Sequence, residues 1–478
     1  GEEAVYQMGF TVQTAMEPSA QMAADEALRS GLENFSRRQG WQGPVEKIPP
    51  AKLKERLEKS HFTPDMLVNG EHVKGIVTRL TDKGADIRLG KYAGFIDNAR
   101  LSWAKKSLRS KQKFLESGDV VWVAAVSDPK KPYNPAEVEP DKPIPLSLQI
   151  VPEIQGALVS IEPQNGDVVA MVGGYSFRDS QFNRPTQQYW KPGPSSSLFG
   201  YSAALDNGFT AASVLLDAPV VQFLESGDVW RPSNYEKNFK GPLLLRTALA
   251  LSRNLCTIRV VQQMGVKKVI ERAKDLELEP HFPEVLSVSL GAVAVTPLNM
   301  TQAYTAFANG GMVSKARFIL SVKNFWGESI YESQPDLRDA LTPQNAYVMS
   351  YLLKEVVNAG TAAKAKVLGV PLAGKTGTSN DWKDAWFIGF TPHLVTGMYV
   401  GYDQPRTMGR SGTGGGTALP IFIEYAKSAL KAYPPDDFDV PDGISFVNVD
   451  PTSGHLVSGG GLRLPFYTGT EPGSSTSE

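Results

Sequence analysis

The sequence predicts an α+β protein: an antiparallel sheet sandwiched by helices, joined to a small all-β domain of barrel type. Three observations carry this. Two pairs of alternating apolar segments, GALVSIEP with DVVAMVGG and DAWFIGF with LVTGMYVGY, bracket a long run of helical periodicity. A helical segment, IFIEYAKSALKAY, follows the second pair, so strands from both ends of one block share a sheet covered by helices. A separate stretch, from Met66 to Val126, alternates in short strands with Gly and Asp turns between them, the pattern of an OB-like barrel.

In chain order, residues 7–15 read as a short strand, and a helix opens near Pro18 with Met22, Ala23, Leu28 and Leu32 at helical spacing. The segments WQGP (41–44) and IPP (48–50) end that unit. The barrel strands lie in VKGIVTRLT, GADIRLG, YAGFID and VVWVAAV. The Pro-rich, charged stretch 127–145 reads as a linker. In the large block, Asn165-Gly166 marks the first hairpin turn, and helical material is expected over 194–310. A helix is expected over 342–359, with Thr342 as its cap, Pro343 in its first turn and Gly360 as its stop. Thr391-Pro392-His393 marks the second hairpin. The expected organisation is 1–62 a strand-helix linker region, 63–128 the barrel, 129–148 a Pro-rich linker, 149–433 the large domain, and 434–478 an extension ending in a disordered tail.

Composition narrows the function. Lys and Arg number 49 against 50 Asp and Glu, a formal charge of −1, which argues against a protein held to nucleic acid by phosphate contacts. Hydrophobic residues at 41% and charged residues at 21% exclude wholesale disorder. One cysteine, Cys256, excludes an intrachain disulfide and a Cys-based zinc site. The 5 histidines are dispersed and form no HExxH, so no metal and no cofactor are expected. No apolar run is long enough to span a membrane. The acidic start Gly1-Glu2-Glu3 lacks both a signal peptide's features and an initiating Met, so the chain is expected to be a piece of something longer.

Gly369 to Thr376 matches the P-loop pattern GxxxxGK[ST] letter for letter. A P-loop needs a buried strand before it and an amphipathic helix after it. Here GTAAKAKV precedes and GTSNDWKDAWFIGF follows, so nucleotide binding is set aside. The same lysine fits a second pattern, Lys375-Thr376-Gly377-Thr378 on a strand edge, with Ser252-Arg253-Asn254 upstream in a helical stretch. SxN and KTG boxes in this order are a signature of serine acyl-transfer sites.

The segments DSQFNRPTQ, YSAALDNGFT, WRPSNYEKNFKGPLLLRTALALSRNL, VSLGAVAVTPLNMTQAYTAFANGG and AGKTGTSNDWKDAWFIGFTP closely resemble the transpeptidase domain of class A penicillin-binding proteins, over about residues 150–432. The first 145 residues resemble the linker and inserted OB-like domain of such proteins. The resemblance implies the penicillin-binding/β-lactamase-like fold. It also implies a glycosyltransferase domain and membrane anchor upstream, so this chain is expected to be a C-terminal portion located outside the cytoplasmic membrane. It implies peptidoglycan stem peptides ending in D-Ala-D-Ala and β-lactams as partners, contact with the membrane only through the missing anchor, and no nucleic acid. By family likeness, Ser252 relays a proton to the leaving group and Asn254 holds the acyl side-chain amide. Lys375 supplies positive potential, Thr376 and Thr378 bind the substrate carboxylate, and Gly377 lets a substrate backbone lie along the strand. The Thr378 N–H would supply half of an oxyanion hole.

The first box departs from the family. Where the family reads roughly PGSxxKPF, this chain reads Pro192-Gly193-Pro194-Ser195-Ser196-Ser197-Leu198-Phe199. Without a gap, Pro194 takes the nucleophile position and Ser197 the lysine position. Slipping by one makes Ser195 the candidate nucleophile, with Leu198 as its i+3 partner. Ser196 and Ser197 face Phe199 and Gly200, so no register gives SxxK. The structural alternative for the triple serine is a helix cap and polar helix start. The leading expectation is a serine D,D-transpeptidase domain. The alternative is a non-catalytic relative that binds in the same cleft. A carboxypeptidase or β-lactamase reading lacks an identifiable Glu-containing deacylation loop.

Overall fold

The computed structural model describes residues 8–108, 114–126, 132–140, 142–223, 227–279 and 281–473. They form two compact units: residues 1–31 with 154–478, and residues 32–153. The chain opens with strand β1 (Thr11–Thr14) and helix α1 (Pro18–Gln39), whose residues divide between the units at Gly31 and Leu32. Glu17 starts α1: its carboxylate accepts from the Ala20 N–H at 2.6 Å, satisfying one of the helix's orphan donors.

In the second unit, strands β2 (Val73–Leu80), β3 (Gly84–Leu89), β4 (Tyr92–Asp97) and β5 (Asp119–Ala125) are the four segments whose alternation the sequence displays. A fifth, β6 (Ile144–Gln149), pairs in parallel with β4 and antiparallel with β5, which closes the sheet into a barrel. Val77, Ile87, Ile96, Val121, Val123, Leu146 and Leu148 fill its core. The stretch read as a linker therefore ends in a barrel strand. Ile144, Leu146 and Leu148 alternate inward while Pro145 points out, a period-2 pattern that the Pro-rich surroundings conceal. Residues 127–131 and 141 of that stretch lie outside the described ones. Two helices, Pro50–Lys59 and Asn98–Lys106, are also additions to the sequence reading; Asp97 caps the second by accepting from the Arg100 N–H at 2.9 Å.

The first unit is built on a five-stranded antiparallel sheet. Strands β7 (Gln155–Ile161) and β8 (Val168–Val172) form the first hairpin, turning through Gly166 at φ 82°. Strands β9 (Ala373–Thr378), β10 (Asp384–Thr391) and β11 (Leu394–Gly401) complete the order β9-β10-β11-β7-β8. A Cβ on Gly397 would meet Thr301 of helix Pro297–Ala308, and one on Gly389 would meet Phe422 of helix Leu419–Ala432. Gly389 pairs across the ladder with Thr396, Gly397's neighbour, so the two helices cover opposite faces of the sheet. The expected sandwich is present.

Helix α2 (Ser197–Leu205) is buried along its whole length. The helical material expected over 194–310 is present but interrupted by an antiparallel pair, Val214–Asp217 with Gly241–Leu244. Between Gly241–Leu244 and the sheet helices come α3 (Leu245–Ala250) and α4 (Asn254–Met264). The helix Pro343–Asn358 starts as expected, with the Thr342 hydroxyl accepting from the Asn345 N–H at 3.2 Å. A C-terminal hairpin, Ile444–Val449 with Leu462–Tyr467, follows. The expected disordered tail begins in residues that carry contacts: Glu471 accepts from the Gly469 N–H at 2.8 Å, while 474–478 lie outside the described residues. Among the described residues, no helix is long and apolar enough to cross a membrane.

Candidate active site

Strand β9 is the edge of the sheet, and its small residues allow other backbones to close on it. A Cβ on Gly377 would lie 2.2 Å from the Pro192 carbonyl oxygen and 2.8 Å from Ser195 Oγ. Gly193, at φ 55°, would meet the Thr378 backbone in the same way, so the turn carrying the triple serine packs directly on the end of β9. The ladder also fixes where backbone groups point. The Ser379 N–H donates to the Asp384 carbonyl at 3.0 Å, and residues opposite one another alternate between bonded and non-bonded pairs. Thr376 and Thr378 therefore aim their N–H and C=O groups away from β10, toward the open edge.

Lys375 lies in the middle of this strand and is wholly buried. Its Nζ donates to Ser252 Oγ at 2.7 Å and to the Thr376 carbonyl at 3.1 Å. Among the described residues no carboxylate pairs with it. Burial without a counter-charge lowers its pKa to about 7, so a substantial fraction of the amine is neutral near neutral pH. Because the Thr376 carbonyl faces the open edge, the bond to it places Nζ, and with it Ser252 Oγ, at that edge.

Ser252 sits in the turn between α3 and α4 at φ 53°, a left-handed conformation that costs a non-glycine residue roughly 1–3 kcal/mol. The next residue holds it there. The buried Arg253 guanidinium donates from Nε to Asp217 at 2.8 Å, from Nη1 to Glu236 at 2.8 Å and from Nη2 to the Asn238 carbonyl at 2.6 Å. Asp217 is fully buried and also accepts from Asn234 at 2.7 Å and from the Lys240 N–H at 3.0 Å. Asn254 begins α4 and donates to the Ser233 carbonyl at 3.0 Å. Thr376 Oγ1 lies 2.6 Å from Thr361 Oγ1, and Thr378 Oγ1 accepts from the Gly414 N–H at 3.0 Å.

The triple serine is arranged differently. A short turn, Gly193–Ser196, runs into α2, and none of its hydroxyls caps a helix N–H, contrary to the capping expectation. Instead each donates back to a carbonyl three residues earlier: Ser195 to Pro192 at 2.6 Å, Ser196 to Gly193 at 3.0 Å, Ser197 to Pro194 at 2.7 Å. All three serines are buried, and the Ser195 carbonyl accepts from Tyr304 OH at 2.5 Å. Pro194 is half-buried and has neither a hydroxyl nor an N–H. Thus Ser252, Lys375, Thr376 and Thr378 gather at the open edge of β9, Gly377 and Ser195 meet on its packed side, and Asn254 stands two residues from Ser252. The P-loop pattern is dissolved, since Lys375 and Thr376 are strand residues followed by β10 and not by a helix.

One pair at this site was not legible in the sequence. Trp382 Nε1 donates to Tyr235 OH at 3.1 Å, with the rings edge-to-face at 6.5 Å. Asp381 and Trp382 both have positive φ, at 61° and 53°. Tyr235 lies between Asn234 and Glu236, which are tied to Asp217 and Arg253, so the pair links the Ser252 turn with the loop after Thr378.

Residues 156–425 match the penicillin-binding protein transpeptidase domain, and residues 41–154 match the penicillin-binding protein OB-like domain. This chain belongs to the penicillin-binding protein transpeptidase family. It is 37% identical to penicillin-binding protein 1A of Rickettsia bellii over 96% of its own length, and 34% identical to that of Neisseria lactamica over 97%. It spans 59% and 58% of those two relatives. The crystal structure of penicillin-binding protein 1A from Haemophilus influenzae superposes with a TM-score of 0.86 at 27% identity, covering 99% of this chain and 74% of that one. PonA1 from Mycobacterium tuberculosis, solved in complex with penicillin V, shares the fold at 18% identity and a TM-score of 0.59. The penicillin-binding fold with an OB-like domain is thus the architecture that the resemblance implied.

Proposed function

We propose that this chain recognises peptidoglycan stem peptides ending in D-Ala-D-Ala, and β-lactams, on the outer side of the cytoplasmic membrane, and that its first box does not perform the family's acyl transfer. One observation carries the reading: position 194, where the family places its nucleophile, is a proline, and the three hydroxyls beside it are bonded inward. The D,D-transpeptidase reading that resemblance alone would give asks for a hydroxyl that Pro194 lacks. It also asks for a lysine one helical turn later, where Ser197 stands, and the general-base contribution at stake is about 10²–10⁴-fold. A proline further removes the N–H that a nucleophilic residue often contributes to its own oxyanion hole, and losing one such donor costs roughly 3–4 kcal/mol of transition-state stabilisation.

What remains suits recognition. The open edge of β9 can accept a peptide as an added strand, with Thr376 and Thr378 offering backbone and hydroxyl groups to a terminal carboxylate. Ser252 stands beside this edge through its contact with Lys375, and Asn254 follows it at the start of α4. Calorimetric titration with diacetyl-Lys-D-Ala-D-Ala, with released D-alanine assayed in parallel, tests the reading. Saturable binding without a burst of D-alanine is expected. Prompt stoichiometric release, or no binding to folded protein, would overturn it.

A further inference from the structure

Four serine hydroxyls belong to the two boxes beside β9, and they differ in what they touch. Ser195, Ser196 and Ser197 each donate to a carbonyl, which neither removes their proton nor leaves them exposed. Ser252 is only half-buried, stands in a left-handed turn between two helices, and its Oγ accepts from the Lys375 amine at 2.7 Å. We infer that Ser252 is itself an acylatable nucleophile with Lys375 as its general base, so that this cleft slowly forms an acyl-enzyme on the second box. The inference rests on the proposed recognition of D-Ala-D-Ala-type ligands and adds a reaction to it.

Geometry supports three requirements of such a step. The base must be within hydrogen-bond reach of the hydroxyl, and it is. The base must be able to take a proton, and burial with no carboxylate partner lowers the amine's pKa to about 7, so a substantial fraction is neutral and able to accept. The hydroxyl must lie where an acyl group would dock, and Lys375's bond to the outward-facing Thr376 carbonyl sets both groups at the open edge of β9. A serine held on a strained turn between two elements is also how other acyl-transfer folds present a nucleophile.

With a β-lactam, Lys375 Nζ takes the Ser252 Oγ proton as Oγ bonds to the ring carbonyl carbon. The carbonyl C–N bond then breaks, and the ring nitrogen receives the proton from Nζ. The product is an ester on Ser252 carrying the ring-opened ligand, with Lys375 returned to its neutral form. The Thr378 N–H faces the same edge and offers one oxyanion donor, while Pro194 offers none; a single donor makes the step slow.

The test is prolonged incubation with benzylpenicillin, intact-mass measurement and peptide mapping, alongside reversible-binding titration. The expected result is one penicilloyl adduct per chain on the peptide containing Ser252. The adduct should be absent from Ser252→Gly, a variant that suits φ 53° and so keeps the turn. It should form at least about 100-fold more slowly in Lys375→Met. An adduct on Ser195, Ser196 or Ser197, or one that survives in Ser252→Gly, would overturn the inference. Reversible binding with no adduct would overturn it while leaving the recognition reading intact; neither binding nor adduct would overturn both.

Discussion

The turn at Pro192–Ser197 and the contact between Ser252 and Lys375 flank the same strand, and both are rich in hydroxyls, yet the two are wired differently. In the turn, every serine donates to its own backbone and is buried. At the contact, a half-exposed serine accepts from an amine that burial keeps near neutrality. The first arrangement stabilises a helix start. The second costs the fold something twice over, in a left-handed serine and in a desolvated lysine. Strain and burial without a counter-charge persist at Ser252 and Lys375, the mark of a functional contact, whereas the Pro-Ser-Ser-Ser turn has relaxed into ordinary local bonding.

The largest effect is expected from the groups that hold the Ser252 turn. Asp217→Ala leaves the Arg253 guanidinium buried without its closest carboxylate, and should cost about 3–5 kcal/mol in chemical denaturation. A loss below about 1 kcal/mol would mean the turn is held otherwise. The opposite side is tested by Gly377→Ala. Its Cβ would meet the Pro192 carbonyl at 2.2 Å, so the packed turn must move, at a cost of roughly 1–3 kcal/mol in stability. A neutral effect would show that the turn is not tightly seated on β9.

Lys375→Met sharpens the contrast through pH. Folding lowers the lysine's pKa from 10.5 to about 7, so between those values the unfolded chain holds a proton that the folded chain lacks. Stability must then rise with pH across that window, by about 1.4 kcal/mol per pH unit from this group, with the full cost present below pH about 7. The difference between wild type and Lys375→Met in denaturation at pH 7 and pH 9 should show the slope, with the variant the more stable at pH 7. Parallel curves would mean that Lys375 is charged in the fold. The smallest expected effect is at Tyr235→Phe, which removes the bond from Trp382 across the site. A stability loss of about 0.5–1 kcal/mol is expected, with a weaker hold on the loop after Thr378 visible as faster amide exchange.

Much of this was legible in the sequence, because periodicity and boxes are local properties. The two sheet hairpins, the helix capped by Thr342 and four barrel strands announce themselves by spacing. Ile144–Gln149 did not, because Pro145 and the charged residues before it mask its alternation. The helix Pro50–Lys59 was hidden because it buries no residue fully. In the site, the types and order of Ser252, Asn254 and Lys375 to Thr378 were readable, and so was the break at Pro194. The inward turn of three serine hydroxyls was not, since a serine letter fits a cap, a nucleophile or a back-bonded helix start equally well. The Tyr235–Trp382 link depends on two consecutive left-handed residues and joins segments 147 positions apart, which no periodicity encodes.

The most direct test of the account compares penicillin acylation rates of the wild type and the Pro194→Ser/Ser197→Lys double variant, both shown by circular dichroism to be folded. Restoring a hydroxyl, an N–H and a lysine in the family's spacing should raise the rate by at least about 10²-fold, with the adduct mapping to position 194. A wild type that already acylates as fast as the double variant would contradict the claim that its first box has lost its chemistry.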